Sequence, residues 1–515
     1  MNKIASLACR AQVGLEAPLV QVEVTVTSGL PAFHLVGLPA TVVRESRDRV
    51  QAALLSCGFE YPAGRIVVNL APAEIPKEGG RFELPIALGI LIASGQLRQR
   101  PAGSAPPSEL YGELGLGGEV KPVRGILLAA AHASRDGHEL IVPAANADEA
   151  LVAATTAVRA ASHLKEVCQH LTGEQPLRPH APQSCARSQA PQFGTGPDLS
   201  EVRGQFHAKR ALLIAAAGSH SLLMIGPPGC GKSMLAQRLP GLLPPLADNE
   251  ALDCAAIASV SCAGFNMSTF GHRPFRAPHH TASAVSLVGG GAHARPGEIS
   301  LAHRGVLFLD ELPEFDRQVL EALREPLEAG IVRVARAAAH ADYPAEFQLI
   351  AAMNPCPCGH LGDPAADCRC TPAQTQRYRA RISGPLLDRL DMHVQVPRVE
   401  VNDFDECLDK GEPSVTVAAR VAAARSLQLA RQGRCNARLT DAQVDRCCRL
   451  QPAARALLDR TMRQLRFSGR TRQRILKLAR TIADLGGQDT IADAHVSEAV
   501  MLRCLDRERA TSSCR

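Results

Sequence analysis

The pattern of apolar and polar positions divides the 515-residue chain into three blocks and one irregular stretch. Residues 1–170 alternate short runs of β type with Ala- and Leu-rich helical stretches, which predicts an α/β domain. In this block we predict strands at Val20–Val26, Ile66–Leu70 and Leu140–Pro143, and helices at Arg44–Cys57, Leu84–Ser94 and Ile126–Ala133.

The remaining pattern changes twice. Residues 172–198 are rich in Pro, Gln, Ser and Gly without periodicity, which is typical of an exposed linker. Residues 199–397 mix strands and helices again, and after about residue 400 helical periodicity dominates. The predicted helices of this tail are Val415–Ala430, Asp441–Leu450, Thr471–Asp484 and Asp493–Leu505. We therefore expect four units, at 1–171, 172–198 (the linker), 199–397 and 398–515.

Composition narrows the function classes. A formal charge of +6 permits a polyanionic partner only if the positive charge is clustered. Because there is no Trp and aromatics make up only 3%, any nucleic-acid contact should run mainly through phosphates. The 17 scattered Cys are odd in number and favour reduced thiols. With Arg10 interrupting a signal-peptide core and no apolar run of about 18 residues, we expect a cytoplasmic protein without a membrane span.

A glycine-rich loop follows the apolar run that begins at Leu222 and precedes a predicted helix. Its glycines let backbone N–H groups point at phosphate oxygens, and the helix N-terminus adds a positive dipole. The lysine would contact the β- and γ-phosphates of ATP, and the serine hydroxyl would bind Mg²⁺. A chance glycine-rich turn is the alternative, which the flanking strand and helix disfavour. The predicted loop consists of Gly226, Pro227, Pro228, Gly229, Cys230, Gly231, Lys232 and Ser233.

Two further apolar runs end in polar residues suited to the same site. Val306–Leu309 is typical of a buried central strand and is followed by Asp310 and Glu311. Asp310 is expected to hold Mg²⁺ through water, and Glu311 to polarise the attacking water. A similar run ends at Asn354, which would orient the water beside the γ-phosphate. An Asn that only turns the chain before the following proline is the alternative.

Two arginines are candidates for sensing or neutralising phosphate charge. Arg389 lies between acids in Ser383–Asp391. An Arg donated by a neighbouring subunit can neutralise charge on the transferring phosphoryl group, an effect of roughly 10³–10⁵ in rate. Arg470, at the start of a predicted helix, is a candidate second phosphate sensor. The alternatives are a salt-bridged surface Arg and one more solvated base in a basic run.

Two close cysteine pairs bracket a short polar loop: Cys356 with Cys358, and Cys368 with Cys370. Four thiolates can form a tetrahedral Zn²⁺ site that stiffens the connection between Asn354 and Arg389. The one-residue gap is tighter than the usual spacing, so reduced structural thiols remain an open alternative.

Basic residues suggest surfaces for DNA. Ile331–Arg336 alternates apolar and basic residues, as one arm of a hairpin facing a ring pore would. On this basis Arg333, Arg336 and the Arg273–His280 loop are candidate DNA contacts. The pair His279–His280 has no acidic or Cys partner nearby, which favours hydrogen bonds or phosphate contacts over a metal. A second candidate surface, equally explained as a solvated helical face, consists of Arg460, Arg463, Arg466, Arg470, Arg472, Arg474, Lys477 and Arg480.

Long motifs in the central block resemble the magnesium-chelatase-like group of AAA+ ATPases. They are Arg273–Thr281, Gly289–Gly291, Pro296–His303, Asn354–Gly359 and Gly384–Asp391. Within that group the chain is similar over essentially its whole length to the ComM/YifB family of competence proteins. The resemblance implies an α/β protein with an N-terminal Lon-protease-like (ribosomal S5 domain 2-like) domain. It also implies a P-loop AAA+ core with a parallel sheet and a C-terminal helical bundle of the magnesium-chelatase type that acts as a lid.

The resemblance also implies a homo-hexameric ring with ATP and Mg²⁺ bound between subunits. Members of the family are regarded as DNA helicases that drive branch migration during natural transformation. The expected partners are therefore branched or single-stranded DNA, other subunits of the ring, and recombination proteins. Cys230 stands where many relatives carry a small hydroxyl residue or Gly, which is tolerable because only its backbone N–H is needed. The roles given above pass to Lys232, Ser233, Asp310, Glu311, Asn354, Arg389 and Arg470.

In the first block, Pro76–Pro85 and Gly112–Leu127 are similar to the proteolytic domain of Lon. A Lon-type protease needs a Ser nucleophile in the first segment and a Lys base in the second. The first segment contains no Ser, and Leu127 stands where the Lys is expected. We therefore expect the fold without proteolysis.

Three functions remain to be separated. The leading hypothesis is a ring ATPase that moves branched DNA. A magnesium-chelatase motor subunit for metal insertion is a rival, although it would not require the fused Lon-like domain. A regulatory scaffold that uses ATP only to assemble is another, although it would not need Glu311 and Arg389.

Overall fold

The structure is a computed structural model that describes residues 4–40, 43, 45–98, 106–181, 196–291, 294–336, 339–364, 366–398 and 411–506, without the side chains of 335, 336, 339 and 340. Much of the expected linker, 182–195, lies outside these residues, as does Arg44. No helix within the described residues is long and apolar enough to cross a bilayer.

The N-terminal part is an α/β unit built on a seven-stranded mixed sheet of order β3-β4-β2-β1-β5-β8-β9. Its strands are β1 (Ile4–Arg10), β2 (Leu19–Thr27), β3 (Ala32–Val36), β4 (Arg65–Ala71), β5 (Ser108–Leu110), β8 (Glu139–Pro143) and β9 (Val158–Ala161), with a small hairpin of β6 (Glu113–Leu114) and β7 (Val120–Lys121). Its helices are α1 (Ser46–Ser56), α2 (Glu83–Ala93), α3 (Ile126–Arg135), α4 (Ala147–Ala153) and α5 (Leu164–Thr172).

The burial of apolar side chains explains why β2 and α2 form where they do. Strand β2 alternates, so that Val20, Val22 and Val24 are fully buried while the residues between them are partly exposed. Helix α2 is apolar on all sides and is buried from Glu83 to Ile92, as expected for a helix at the centre of a core. It lies so close to β2 that a Cβ at Gly89 would be 2.5 Å from a methyl of Val24.

The central part holds a five-stranded parallel sheet of order β11-β14-β17-β10-β18. Its strands are β10 (Leu222–Ile225), β11 (Phe275–Arg276), β14 (Val306–Leu309), β17 (Gln348–Met353) and β18 (Met392–Gln395). Two antiparallel hairpins project from it, β12 (Gly289–Gly290) with β13 (Arg295–Pro296), and β15 (Ile331–Arg336) with β16 (Ala339–Pro344). The helices are α6 (Phe206–Gly218), α7 (Lys232–Leu242), α8 (Asp248–Val260), α9 (Ala284–Val288), α10 (Glu298–Leu301), α11 (Arg317–Ala322), α12 (Arg324–Ala329), α13 (Pro372–Arg379) and α14 (Gly384–Leu387).

The C-terminal part is helical. Its helices are α15 (Ser414–Gln432), α16 (Asp441–Cys447), α17 (Pro452–Gln464), α18 (Gly469–Leu485) and α19 (Asp493–Met501). Together with the parallel sheet and the N-terminal α/β unit, these helices confirm the fold class expected from the sequence.

A buried polar cluster lies at the centre of the helical part. The carboxylate of Asp484 accepts two hydrogen bonds from Arg431, at 2.7 and 2.8 Å, and one from Arg480 at 3.1 Å. Asn436 donates to the same carboxylate at 2.8 Å. The side chains of Asp484 and Arg480 are only 2% and 1% exposed. Helices α15 and α18 are thus joined by charge as well as by apolar packing.

The N-terminal unit docks on the central part through α3 and α8. The backbone N–H of Gly125 donates to the carbonyl of Ser259 at 3.2 Å, and the Ser259 hydroxyl donates to Glu149. Leu127 and Leu128 are buried in the same apolar cluster as Val260 of the central part. The start of α3 is therefore an internal contact between the two units.

Two predicted helix ends were wrong. The helix predicted to run to Leu450 ends at Cys447, because the chain extends so that Leu450 can form a bridge with Ile491. The helix predicted to run to Leu505 ends at Met501, and the next residues bridge to β18 through Arg503. Helix α17 had not been predicted, although Pro452 at its first position is a typical start signal.

Candidate nucleotide site

The sheet brings the predicted polar residues to one edge. The glycine-rich loop follows β10, Asp310 and Glu311 follow β14, and Asn354 follows β17. Because the strands are parallel and β17 lies between β10 and β14, all three carboxyl ends meet at the same edge. Asn354 is consequently placed between the phosphate-binding candidates and the acidic pair.

The loop has the backbone shape that its glycines predict. Gly229 and Gly231 have φ values of +77° and +90°, which other residues rarely adopt. Gly226 passes so close to the neighbouring chain that a Cβ would lie 2.1 Å from the carbonyl oxygen of Val396. The last glycine leads directly into α7, which begins at Lys232, so the helix N-terminus faces the loop.

Lys232 lies inside the loop. Its ammonium donates to the carbonyl oxygens of Gly226 at 2.8 Å and Pro227 at 2.9 Å, and it is 3.3 Å from the Asn354 side-chain oxygen. The side chain of Cys230 is buried, with its Sγ 3.7 Å from the same ammonium. A positive charge within a glycine-rich loop at a helix N-terminus is suited to a phosphate chain.

Two oxygen groups suitable for Mg²⁺ adjoin each other. The Ser233 hydroxyl donates to the Asp310 carboxylate at 2.6 Å. The other oxygen of Asp310 accepts from the backbone N–H of Glu311 at 2.9 Å, which fixes the orientation of the carboxylate. Mg²⁺ prefers oxygen ligands and commonly uses one or two carboxylates together with substrate phosphates, so this pair fits the ion.

Glu311 occupies an unusual backbone position. Its φ of +52° is left-handed, which is uncommon for a residue other than Gly, Asn or Asp. The turn directs the carboxylate outward, where it is about half exposed and lies 3.1 Å from Nδ1 of His280. His280 in turn stacks against His279, with ring centroids 4.1 Å apart. The expectation that no acidic partner lies near the histidine pair was therefore wrong, because the turn at Glu311 brings its carboxylate to His280.

The four predicted cysteines converge. Their Sγ atoms all lie within 4.8 Å of one another, and three of the separations are 3.4, 3.7 and 3.6 Å. Sulfur atoms bound at about 2.3 Å to a tetrahedral zinc ion are roughly 3.8 Å apart, so the donor set fits Zn²⁺. Hydrogen bonds from the backbone N–H groups of His360 and Arg369 lower the pKa of Cys358 to about 6, whereas burial and hydrogen bonds with Cys358 and Cys356 raise the pKa values of Cys368 and Cys370, so the cluster without metal favours one thiolate.

The cysteine loop packs against the phosphate loop. Gly359 has a φ of +87°, and a Cβ there would lie 2.7 Å from the Pro228 ring and 3.9 Å from the side chain of Asn354. Arg379 donates to the carbonyl oxygen of Pro355 at 3.3 Å, which fixes the other end of the loop. A displacement of the cysteine loop would therefore change the positions of both Pro228 and Asn354.

The two predicted arginines lie elsewhere. Arg389 forms an ion pair with Glu328 at 2.5 Å and donates to the carbonyl oxygen of Pro385 at 2.8 Å. None of its described contacts involves the phosphate loop of its own chain. Arg470 is exposed in the first turn of α18.

The candidate DNA residues separate into three groups. Arg333 is 68% exposed on the β15–β16 hairpin, with the carboxylates of Glu325 and Asp342 at 3.7 and 3.9 Å from its guanidinium, whereas the side chain of Arg336 lies outside the described residues. The side chain of Arg273 turns inward and donates to the carbonyl oxygens of Pro244 and Arg304 at 2.5 and 2.6 Å, so its guanidinium does not face a DNA surface. The C-terminal basic run also divides: Arg474, Lys477 and Arg480 face protein partners, and the exposed members are Arg460, Arg463, Arg466 and Arg470.

The sequence matches three family descriptions along its length. Residues 198–404 match "Magnesium chelatase, subunit ChlI", residues 22–146 match "Subunit ChlI of Mg-chelatase", and residues 411–503 match "Magnesium chelatase, subunit ChlI C-terminal".

Similar proteins occur in several bacteria. The chain is 48% identical over 498 residues to a protein of Escherichia coli (strain K12) named YifB, covering 97% of this chain and 96% of that protein. It is 46% identical over 505 residues to the competence protein ComM of Haemophilus influenzae, covering 98% of each. The magnesium-chelatase 67 kDa subunit of Heliobacterium mobile is 28% identical over 197 residues, which is 32% of this chain and 29% of that subunit.

Proposed function

The chain belongs to the magnesium-chelatase-like family that includes YifB and ComM, and from this premise we propose that it is an AAA+ motor that hydrolyses ATP to move branched DNA. The observation that carries the proposal is the meeting of Lys232, Ser233, Asp310, Glu311 and Asn354 at one sheet edge. These groups comprise a phosphate-binding cation, two Mg²⁺ ligands, a water-polarising carboxylate and a water-orienting amide. A protein that only binds nucleotide would not need the last two.

Among the described residues of one chain, the site lacks an arginine that could neutralise charge on the transferring phosphoryl group, and a ring of subunits would provide one. Within its own chain Arg389 contacts Glu328 rather than the phosphate loop. We propose that Arg389 completes the ATP site of the neighbouring subunit in a homo-hexamer, where its charge stabilises the transition state. ATP and Mg²⁺ would then be bound between subunits.

DNA is the proposed substrate because of what surrounds the site. The exposed Arg333 lies on a hairpin that emerges between β14 and β17, the strands that carry Glu311 and Asn354. A relative that matches the chain over nearly its full length is named a competence protein. Natural transformation and recombination both generate branched DNA intermediates, which fits a branch-migration helicase.

The rival chelatase function has weaker support. The chelatase subunit of Heliobacterium matches only 32% of this chain, whereas the competence protein matches 98%. The N-terminal unit also packs on the ATPase core through α3 and α8, so a function for the whole chain should account for this unit as well.

Measuring the ATPase rate against several DNA structures tests the proposal. Four-way junctions should stimulate the rate more than duplex DNA, and the stimulation should fall steeply with salt because phosphate contacts release counterions. Labelled junctions should be resolved into products only with ATP, and Glu311→Gln should retain ATP but resolve none. A rate that responds to no DNA, or that responds only to a porphyrin, would refute the DNA motor.

Arg333→Ala separates DNA contact from catalysis. We expect unchanged ATPase without DNA, weaker stimulation by junctions, and a slope of log affinity against log salt reduced by about one. Arg455→Ala, an exposed Arg on α17, is the matched control. Equal behaviour of the two variants would remove the hairpin from the DNA surface.

We also propose that Cys356, Cys358, Cys368 and Cys370 hold a structural Zn²⁺. The ion would stiffen the loop that abuts Pro228 and follows Asn354. Its role would be to hold these two residues in register, because a site with four thiolates has no open position for chemistry.

A further inference from the structure

The segment that carries Arg389 is held from the C-terminal helical part. Asp391, two residues further along, has a buried carboxylate that accepts from the backbone N–H of Ser221 at 3.1 Å and lies 3.3 Å from Nδ1 of His220. The same carboxylate forms an ion pair with Arg474 of α18. Residues before β10, residues before β18 and the helical part therefore meet at one carboxylate.

Arg474 makes a second contact that bears directly on Arg389. The Nη1 atom that binds Asp391 also donates to the backbone carbonyl oxygen of Arg389 at 3.2 Å. On the other side, Arg503 donates to the carbonyl oxygens of Leu390 and Asp391, at 3.1 and 2.6 Å. The backbone from 389 to 391 is thus held by two arginines of the helical part.

Helix α18 also carries Arg470, the predicted second phosphate sensor. Arg470 lies one turn before Arg474, and residues four apart occupy the same helix face, separated by about 6 Å along the axis. Thr481, two turns after Arg474, is 2.8 Å from Nε2 of His220, whose other ring nitrogen faces Asp391. Because both contacts lie on one helix, a movement of α18 as a unit is expected to displace the 389–391 backbone.

The ion pair is costly to break. Burial raises the pKa of Asp391, but the charge of Arg474 and the hydrogen bond from His220 outweigh burial and hold that pKa below its ordinary value. The carboxylate therefore stays ionised, and separating it from Arg474 would leave an uncompensated buried charge. The two groups are expected to move together.

We infer that Arg474 is a positioning residue that couples the position of α18, the helix that carries the predicted phosphate sensor Arg470, to Arg389, which serves the site of the next subunit. The inference rests on the proposed function, since it needs a ring in which Arg389 acts between subunits. It adds a path by which ATP bound in one site governs hydrolysis in the adjacent one.

Rings mixed from two kinds of subunit test this path. Arg389→Ala subunits retain their own hydrolytic residues but provide no arginine to a neighbour. Glu311→Gln subunits bind ATP and provide Arg389 but cannot hydrolyse. Mixing them should raise the ATPase rate above the sum of the two parents, because hydrolysis then occurs where a Glu311→Gln subunit donates its Arg389.

The decisive donor carries Glu311→Gln together with Arg474→Ala. Its own site is inactive, so any effect of Arg474→Ala must be exerted on the neighbour. Since a displacement of about 1 Å can cost roughly 10²-fold in rate, we expect the rescue to fall by at least about tenfold. Arg474→Lys in the same donor keeps the charge and should restore part of the rescue, and Arg455→Ala should leave the rescue intact.

The outcomes separate the possibilities. Undiminished rescue by the Arg474→Ala donor, with ring assembly verified, would overturn the inference and leave the proposed function standing. Absence of rescue by the simple Glu311→Gln donor would overturn both the placement of Arg389 between subunits and this inference. A donor with Arg470→Ala should also rescue poorly, and full rescue by it would refute the link to the nucleotide.

A destabilised donor would be recognised by its melting temperature. In that case Asp391→Asn, which keeps the side-chain shape and weakens the ion pair with Arg474, replaces Arg474→Ala in the donor. Rescue at the level of the unmodified donor would again overturn the inference, and a severalfold loss would support it.

Discussion

Replacing Asp484 by Ala should destabilise the C-terminal helical part by about 3–5 kcal/mol. The carboxylate is 2% exposed and compensates Arg480, which is 1% exposed, as well as Arg431. Its removal leaves a buried guanidinium without a counter-charge and deprives Asn436 of one of its two acceptors, the other being the Thr481 hydroxyl. Removing one partner of a buried ion pair typically costs several kcal/mol, because the other charge is left buried and uncompensated. Replacing both partners by apolar residues often costs little, so the estimate applies to the single substitution.

The expected shift in melting temperature follows from the size of the cooperative unit. The helical part packs with the central part in one apolar cluster, so a cooperative unit of about 300 residues is appropriate. At an unfolding entropy of roughly 0.6 kcal/mol/K for such a unit, the melting temperature should fall by about 5–8 °C. Because the chain has no Trp, helical circular dichroism is the suitable signal.

Two variants complete the measurement. Asp445→Ala removes an exposed carboxylate from α16 and should change stability by no more than about 0.5 kcal/mol. Asp484→Asn keeps a hydrogen-bonding side chain without the charge and should fall between the two. If Asp484→Ala had the same melting temperature as Asp445→Ala, the cluster would not stabilise the helical part and our reasoning would be wrong.

Three further outcomes are expected. Lys232→Ala should lower ATP affinity at least about tenfold, because the ammonium at the centre of the loop is lost, and unchanged affinity in equilibrium binding would exclude this loop as the phosphate site. Purified protein should contain one Zn²⁺ per chain by atomic absorption, Cys358→Ser should lose most of it, and metal-free protein with unchanged stability would contradict the zinc site. Burial, aided by Arg304 and Arg438, lowers the pKa of His303 to about 3. Below about pH 6.5 this imidazole therefore binds a proton in the unfolded chain but stays neutral in the folded chain. The free energy of unfolding should consequently fall by up to about 2 kcal/mol between pH 7 and 5. His303→Gln should show a smaller acid loss in urea unfolding, and an identical loss would assign it to other groups.

Sequence patterns predicted much of this molecule where one physical cause dominates. The strand at Leu222–Ile225 and the turn at Gly229 and Gly231 could be recognised because buried apolar runs and positive φ values each demand particular residues. Helix α2 was predicted within one residue because its apolar composition leaves no other environment.

Long-range charge pairing could not be predicted in the same way. Nothing in the basic run around Arg474 distinguishes the arginines that turn inward from those that stay in water. That choice depends on which acid the fold brings near, and Asp391 is 83 residues away in the chain. The contact between His280 and Glu311 is similarly a product of the left-handed turn at Glu311.

The docking of α3 limits which side chains the start of that helix can carry. Leu127, at the position where a Lon-type protease would carry its lysine, is 2% exposed and faces the apolar interior shared with the ATPase core. An ammonium there would have to lose its water inside this contact, where the buried carboxylate of Glu149, which accepts from the Leu127 backbone N–H at 3.3 Å, already binds Asn146 and Ser259. Replacing Leu127 by Lys is therefore expected to destabilise the contact between the N-terminal unit and the central part.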